Sequence, residues 1–364
     1  MLKQVQHDGL DLPSNRTEGW RWSDLSALPQ LAAAQPSGRT PDALLWIAAP
    51  GPRLLFVDGK LDESRSDLGP IGIGAVAVEA ADHPLARLAG RSGWKLKLGR
   101  DRAVADPVQI VHVSTGGADQ LAAEIELDVD AQASVLETFI GDGWANRLTG
   151  VRLAKSARLM LNRRLLGSTG FISLTDEAEV GEGASLVVAI LAAGGRDTRL
   201  DAAIRMVGQE AYAEAAAALL ARGRQRHDAN LVIRHEMPNG MSRQLWRSVA
   251  ADQSACSVAA RVEVARAAQK TDGEQSLKGL LLDRGATINA KPELEIFADD
   301  VKCAHGATVG ELDRAALFYL ESRGVAPDEA QALLTRAFVA DALDRVGEEA
   351  VRDAFYADAE AWFA

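Results

Sequence analysis

The chain reads as a mostly-β protein: a long series of short stacked strands, preceded by a small α/β region and followed by helices. Three observations predict this. Between about residues 105 and 305, apolar runs of strand length recur, broken off by Gly, Asp or Asn. A small or polar residue followed by alanine repeatedly opens such a run, at Gln132-Ala133, Ser156-Ala157, Gly183-Ala184, Ala267-Ala268 and Gly285-Ala286. After Thr308 the apolar period lengthens from that of a strand to that of a helix.

The first region extends to about residue 95. Trp20 and Trp22 stand among charged residues and read as anchors that pin an N-terminal arm onto a body. Runs at 43–48 and 53–57 are short and apolar, and Asp58-Gly59 directly after the second is a hairpin signal. Gly72-Ile73-Gly74-Ala75-Val76-Ala77 matches a dinucleotide loop in isolation. It lacks the strand–turn–helix context that such a loop needs.

The middle region holds strand-like runs at 108–113, 123–129, 134–140, 150–153, 157–161, 171–174, 185–192, 230–233, 258–264, 277–282 and 286–288. The alanine signals lie 24, 27 and 18 residues apart where adjacent. Irregular rungs of this length suit a parallel β-helix, in which each coil buries its inner face only by stacking on the next. A β-sandwich uses strands that look the same one at a time, so both architectures remain open on periodicity. Residues 208–222 conflict locally. The segment is alanine-rich, which favours helix, yet Glu210, Tyr212 and Glu214 alternate with alanines as in a strand.

Helical signals follow Thr308. Asp313 is a good N-cap, Ala316, Leu317 and Leu320 share a face, and Gly324 sits where the residue after a helix belongs. Pro327, with Asp328 and Glu329 behind it, starts a second helix. Its stripe is Ala330, Leu333, Leu334, Ala337, Phe338 and Leu343, and Gly347 ends it. Val351, Phe355, Ala359 and Trp362 continue the pattern. Three helices cannot bury this much apolar face among themselves, so a partner groove is expected to take part of it. The expected docking residues are Leu317, Phe318, Tyr319, Leu333, Leu334 and Phe338.

Composition excludes several classes. At 364 residues the chain can bury a large core, and 25% charged with 47% hydrophobic residues is ordinary. A net charge of −11 supplies no basic excess for nucleic acid. No run approaches the ~20 apolar residues of a membrane span, and the first eight residues hold no secretory apolar stretch. Two cysteines make no disulfide framework, so a reducing cytoplasm is expected. Among nucleotide, zinc and hydrolase motifs, the chain has no P-loop, no Cys-x2-Cys, no His-Glu-x2-His and no Gly-x-Ser-x-Gly. It is not expected to turn over ATP by itself.

The densest chemistry lies in 291–313. Leu294, Ile296 and Ala298 alternate with Glu293, Glu295 and Phe297. If that strand runs past Asp299 and Asp300, Cys303 and His305 project to one face with Cα atoms roughly 6 to 7 Å apart. Three readings compete. The pair could be a buried thiol beside a hydrogen-bonded histidine. It could be a nucleophile and base, but no third orienting residue can be named. Thiolate and imidazole also both bind iron or zinc. A closed site needs about four ligands, so this one would borrow from another chain.

The run from Asp299 through Cys303, His305 and Gly306-Ala307-Thr308-Val309-Gly310, followed by Ala316 to Leu320 and Ser322-Arg323-Gly324, resembles the C-terminal signature of the SufB/SufD family. These are scaffolds of the SUF iron–sulfur cluster assembly system, and the 306–310 run is nearer to the D subunits. Residues 16–25 are similar to the family's N-terminal pattern, with Trp22 and Ser23 as departures. His227-Asp228 and His235-Glu236 before Ser242-Arg243-Gln244-Leu245 resemble a family histidine pattern, but Ala229 replaces a histidine. These four residues are therefore expected to be solvated turn residues. Gln269 to Asp272 and Leu280 to Leu282 also match the family and read as a turn and a stacked strand.

The resemblance implies a right-handed parallel β-helix core (96–307), a small α/β N-terminal region (1–95) and a C-terminal helical domain (308–364). It resolves 208–222 in favour of strand. It further implies a SufB-like partner scaffold, a SufC-like ATPase docked on the C-terminal helices, and a homodimer when the chain is alone. Cys303 and His305 would hold an iron–sulfur cluster transiently at a subunit interface, with no cofactor bound permanently. The competing reading is a β-helix enzyme acting on carbohydrate as lyase or hydrolase. Paired carboxylates across a groove are then required. Asp299 and Asp300 are adjacent, and a strand would send them to opposite faces.

Overall fold

In the computed structural model, the described residues are 4–7, 10–78 and 82–363; part of the N-terminal stretch read for a secretory signal lies outside them. A hairpin of β1 (Gln4–His7) and β2 (Leu10–Pro13) opens the chain, and α1 (Leu28–Ala33) follows. Strands β3 (Arg53–Val57) and β4 (Lys60–Leu61) are antiparallel across Asp58-Gly59, both with positive φ. That is the hairpin the dipeptide predicts. The 43–48 run forms no strand. The Gly72–Gly74 motif lies in β5 (Ile71–Ala75), an antiparallel edge strand, and opens no helix.

The chain then alternates between two sheets. The first takes β5, β6 (Ser92–Leu98), β8 (Ala118–Leu127), β10 (Trp144–Leu153), β12 (Phe171–Val180), β14 (Asp197–Met206), β16 (Arg226–His235), β18 (Ala255–Val264) and β20 (Thr287–Ile296). The second takes β4, β3, β7 (Val108–Ser114), β9 (Gln132–Gly141), β11 (Arg158–Leu165), β13 (Ser185–Ala192), β15 (Tyr212–Ala221), β17 (Met241–Ala250), β19 (Asp272–Leu281) and β21 (Lys302–Glu311). Apart from the β3–β4 and β5–β6 pairs, every pairing within the two sheets is parallel among the described residues. The architecture is a parallel β-helix of about eight coils. Coils lengthen from 26 residues, where Arg152 reaches Glu126, to 32, where Asn289 reaches Ser257.

The alanine repeat is a corner, although its register differs from the sequence expectation. At this corner one residue per coil turns left-handed: Asp130, Ser156, Gly183, Glu210, Asn239 and Lys270, with φ between 58° and 62°. Each donates its N–H to the carbonyl of the next coil, as Ser156 does to Glu182 at 2.8 Å and Asn239 to Gln269 at 2.9 Å. The residue after the corner points into the core, and Ala131, Ala157, Ala184 and Ala211 are buried there. Ala131, not Ala133, is therefore the equivalent of Ala157. Ala268 and Ala286 precede strands of different sheets, so their 18-residue spacing compares two corners and not two coils.

Residues 212–221 are strand β15 despite their helical propensity. Central position overrides propensity here, because both faces are buried and both neighbours supply hydrogen bonds. Ala213, Ala215 and Ala217 fill the lumen, while Ala218 and Leu220 lie on the outer face. Small side chains there let a helix sit close. Three helices close the chain: α2 (Arg314–Ser322), α3 (Pro327–Leu343) and α4 (Glu349–Phe363). Asp313 caps α2 by accepting from the N–H groups of Ala315 and Ala316, and Gly324 follows it at φ 90°. Strand β21 runs to Glu311, three residues past the expected onset of helical period.

Most of the apolar stripe of α3 and α4 is used within the chain. Val339, Leu343, Val351, Phe355, Ala359 and Trp362 pack on Leu136, Ala189, Leu191, Ala218, Leu220, Val249 and Leu280 of the second sheet. Arg164 grips Asp358, and Arg247 grips Asp341, at 2.5 Å. On the first sheet the N-terminal arm lays Leu12, Trp20, Leu25 and Leu28 against Trp144 and Phe171. Of the two expected anchors, Trp20 is buried and its ring covers the Arg199 guanidinium at 4.2 Å, while Trp22 is half-buried. Among the described residues, no helix is long and apolar enough to cross a membrane.

Candidate functional site

The open end of the β-helix carries the candidate site. Among the described residues, β20 pairs only with β18 and β21 only with β19, so each leaves one edge unpaired. A ladder of unpaired N–H and C=O groups is a template for another chain. Nearly all of β21 is exposed, its Val309 included, and Ile296 and Phe297 expose apolar surface beside it, Phe297 at 59%.

The expected single strand through Asp299 and Asp300 does not form. The chain turns there from one sheet to the other, and Cys303 and His305 belong to β21 alone. The two still share a face, two residues apart on one strand. Cys303 lies opposite Gly273, and His305 opposite Gln275. Gly273 has no side chain, and a Cβ there would lie 3.4 Å from the Cys303 sulfur. The thiol thus points inward and packs with Val262, Ala298, Leu294 and Val301. Burial pushes it above the ordinary thiol range, with the Asp272 charge adding to this and a Gly273 backbone hydrogen bond opposing it. It is a protonated, half-buried thiol at the mouth of the lumen. His305 is exposed beside it.

Among the described residues, no three His, Cys, Asp or Glu side chains converge as a metal cage. Cys303 and His305 give soft and borderline donors suited to iron or zinc. The set is two short of a closed site and faces an unpaired edge, a fit for ligation completed from a second chain.

The other histidine constellation is corrected by its burial. His227, Asp228 and His235 lie within β16 and are buried, not solvated in a turn. The His227 Nε2–H donates to the Leu220 carbonyl at 3.0 Å, and its Nδ1 accepts from the Thr198 hydroxyl at 2.9 Å. Burial drops its pKa to about 4, against a weaker opposing effect from the Leu220 carbonyl. His235 falls to about 4 for the same reason and bonds Ser242 Oγ at 2.8 Å. Asp228 pairs with Arg199 and accepts from Ser23, tying the arm to the core. These are interior fastenings. Cys256, opposite His227, is fully buried, and burial pushes its thiol far up.

A second interior network went unread in the sequence. Arg163 donates to Glu137 at 2.9 Å and bonds both oxygens of Asp176, while His112 meets Glu137 at 3.1 Å. Burial alone would raise Glu137, but Arg163 and His112 hold it at about 2. The signal available was charge inside apolar runs: Glu137 within 134–140 and Arg163 just after Leu161. Between Arg163, Asp176, Leu186 and Trp246 the lumen leaves about 30 Å³, room for about one water.

The residues expected to dock a partner divide. Phe318 (72%), Tyr319 (58%) and Leu333 (45%) are exposed. Leu317 and Leu334 are half-buried, and Phe338 turns onto the chain's own second sheet.

Comparison with known proteins follows the same lines. The model of the family described as "SUF system FeS cluster assembly, SufBD core domain" matches residues 112–338, more than half of the chain. The "Iron-sulfur cluster assembly protein SufD" of Escherichia coli is 27% identical over 96% of this chain and 89% of its own length. An "Iron-sulfur cluster assembly SufBD family protein" of Mycobacterium tuberculosis is 24% identical over 95% and 88%. The chloroplastic protein ABCI7 of Arabidopsis thaliana is 30% identical over 61% of this chain and 48% of its own. The matched core spans the interior coils, the open last coil with Cys303 and His305, and the start of the helices, and the chain belongs to the SufB/SufD family of the SUF iron–sulfur cluster assembly system.

Proposed function

We propose that the chain is a non-enzymatic, SufD-like scaffold subunit, working in the cytoplasm as one part of a larger complex. The open last coil carries this reading: two unpaired strand edges, apolar surface beside them, and Cys303 with His305 on the same strand. A SufB-like subunit completes the coil by strand addition, which supplies backbone hydrogen bonds for affinity and side-chain pockets for specificity. Cys303 and His305 then ligate the nascent cluster as cargo, together with donors from that subunit. In isolation the same edges meet their copies in a homodimer.

The division of labour is a β-helix core (96–307) between an N-terminal α/β region (1–95) and a C-terminal helical domain (308–364). A SufC-like ATPase docks on α2 and the outer side of α3. Phe318, Tyr319 and Leu333 supply the contact, with Leu317, Leu334 and Phe338 behind them. Deleting everything from residue 311 is a poor test, because it strips the cover from Leu136, Leu220 and Val249. Phe318→Asp is the cleaner variant: it should abolish co-purification of the ATPase and leave the melting curve unchanged. Undiminished capture would place the docking site elsewhere.

The cluster site is tested by iron and sulfide per assembled complex, co-expressed with its partners. His305→Ala should lower both several-fold without loss of assembly. Full cluster content in that variant would remove His305 from the site.

A further inference from the structure

Behind His305 lies a row of buried amides whose polar atoms lack partners. Gln275 is 1% exposed, and neither its Oε1 nor its Nε2 has a hydrogen bond. Its registered neighbours on the same inward face are Gln244 on β17 and His305 on β21. Gln244 is equally buried, and its Nε2 donates to the Arg261 carbonyl at 3.0 Å while its Oε1 is unpartnered. Unmade hydrogen bonds on buried amides are destabilising, and Gln275 leaves both of its amide atoms unbonded.

We infer that Gln275 is the positioning residue for His305, joining it to the interior through a ladder of registered side chains. The directions are forced by the groups present. With Gln244 Nε2 committed to the Arg261 carbonyl, Gln244 Oε1 is left to accept from Gln275 Nε2 once these atoms, unbonded in the structure, turn to hydrogen-bond distance. Gln275 Oε1 then faces the next coil and accepts from an N–H of the His305 ring. Registered side chains on adjacent parallel strands are within reach of one another. Both unpartnered oxygens and the Gln275 amide nitrogen find a partner in this arrangement, and no new charge is buried. The consequence is chemical: a ring nitrogen that donates inward carries the proton, so the other presents its lone pair outward. Such a partner fixes the tautomer and aim of a ligating histidine, and losing it costs about 10–100-fold in metal affinity.

This inference rests on the reading of His305 as a ligand, and the experiment separates the two. The first readout needs no cluster. In the full chain labelled with ¹⁵N-histidine, the His305 ring nitrogens, assigned by their loss in His305→Gln, should report a single tautomer. Gln275→Leu should convert this to a mixture, and Gln275→Glu should restore it, because a neutral carboxyl offers the same acceptor and donor pair. The second readout is iron retained by the co-expressed complex under chelator challenge. Gln275→Leu should release iron at roughly ten-fold lower chelator, and Gln275→Glu near the wild-type level. An unchanged tautomer in Gln275→Leu overturns the ladder whatever happens to the iron. A changed tautomer with unchanged iron retention overturns the positioning role. Full iron in His305→Ala sinks the ligand reading and not the ladder, which the nitrogen shifts decide alone.

Discussion

Strands β15 and β21 belong to the same sheet, have the same length and sit three coils apart, yet their environments are opposite. Nine of the ten positions of β15 are buried, whereas nine of the ten of β21 are exposed. The first is flanked by two strands and roofed by α3; the second has one neighbour and no roof. Stability in a solenoid is a sum of coil terms and neighbour terms, so the interior coils hold the fold and the last coil is left for assembly. The polar groups divide in the same way. Interior charges are paired and interior histidines are neutral and bonded at one or both ring nitrogens, while Cys303 and His305 face the opening.

The sharpest way to break the interior half is to orphan its charges. Arg163→Met leaves Glu137 and Asp176 buried without their cation, and breaking a buried pair from one side costs about 3–5 kcal/mol. Denaturant unfolding of the isolated chain should show a loss of that size. His305→Ala in the same assay should cost about 1 kcal/mol at most, the share of one hydrogen bond at an exposed end. Equal losses in the two variants would erase the distinction between interior and end.

Acid should reveal the interior histidines next. His227 and His235 have pKa values of about 4 in the folded chain, against 6.5 when free. Between pH 6.5 and 4 the unfolded chain therefore binds protons that the folded chain refuses, and stability falls as pH falls. Each ring contributes up to about 3 kcal/mol across that window. His227→Gln should flatten the profile by one such share; an unaltered slope would mean that His227 is hydrated.

The open end predicts the converse behaviour. Phe297→Asp and Val309→Asp place charge on exposed apolar surface, so the isolated chain should unfold as before, within about 0.5 kcal/mol. Affinity for the SufB-like subunit should drop ten-fold or more, measured by titration of the purified subunits. Unchanged affinity would show that the last coil is not the contact.

The sequence carried the texture of this fold better than its connections. Asp313, Gly324 and Pro327 act through neighbours one to three residues away, so caps and helix starts were legible. The Asp58-Gly59 hairpin was legible for the same reason. Strands β14 and β17 were missed because Arg199, Asp201, Arg205, Arg243 and Arg247 interrupt their apolar pattern, and Asp228 and Asp272, which partner Arg199 and Arg243, lie 29 residues away. The alanine repeat was seen, but its register depends on which residue turns left-handed, and Ser156, Glu210 and Lys270 give no local sign of that. His227 and Asp228 read as solvated because their partners, Thr198, Arg199 and Ser23, are brought by other coils and by the arm. Of the candidate site, Cys303 and His305 stood out by residue type and by the run around them. Gln275 did not, since only parallel register places it behind His305.

The smallest effects expected are those that compare the two thiols, and they test the same contrast within one residue type. Cys256 is fully buried and its sulfur lies near the Leu219 and Val249 carbonyls, at 3.8 and 3.7 Å. Cys256→Ala should cost about 1–3 kcal/mol through lost packing. Cys303→Ala removes a half-buried group that Gly273 already leaves room for, and should cost less than 1 kcal/mol in the isolated chain. Reactivity sharpens this. The thiolate is the nucleophile, and burial pushes both thiols up. Alkylation of the native chain should be slow at neutral pH, should rise above the ordinary thiol range, and should modify Cys303 alone, with Cys256 labelled only after unfolding. Adding the SufB-like subunit should suppress the Cys303 reaction if the strand edge beside it is covered. Continued labelling at the free rate in the assembled complex would mean that β21 stays open and that its thiol is not at the interface.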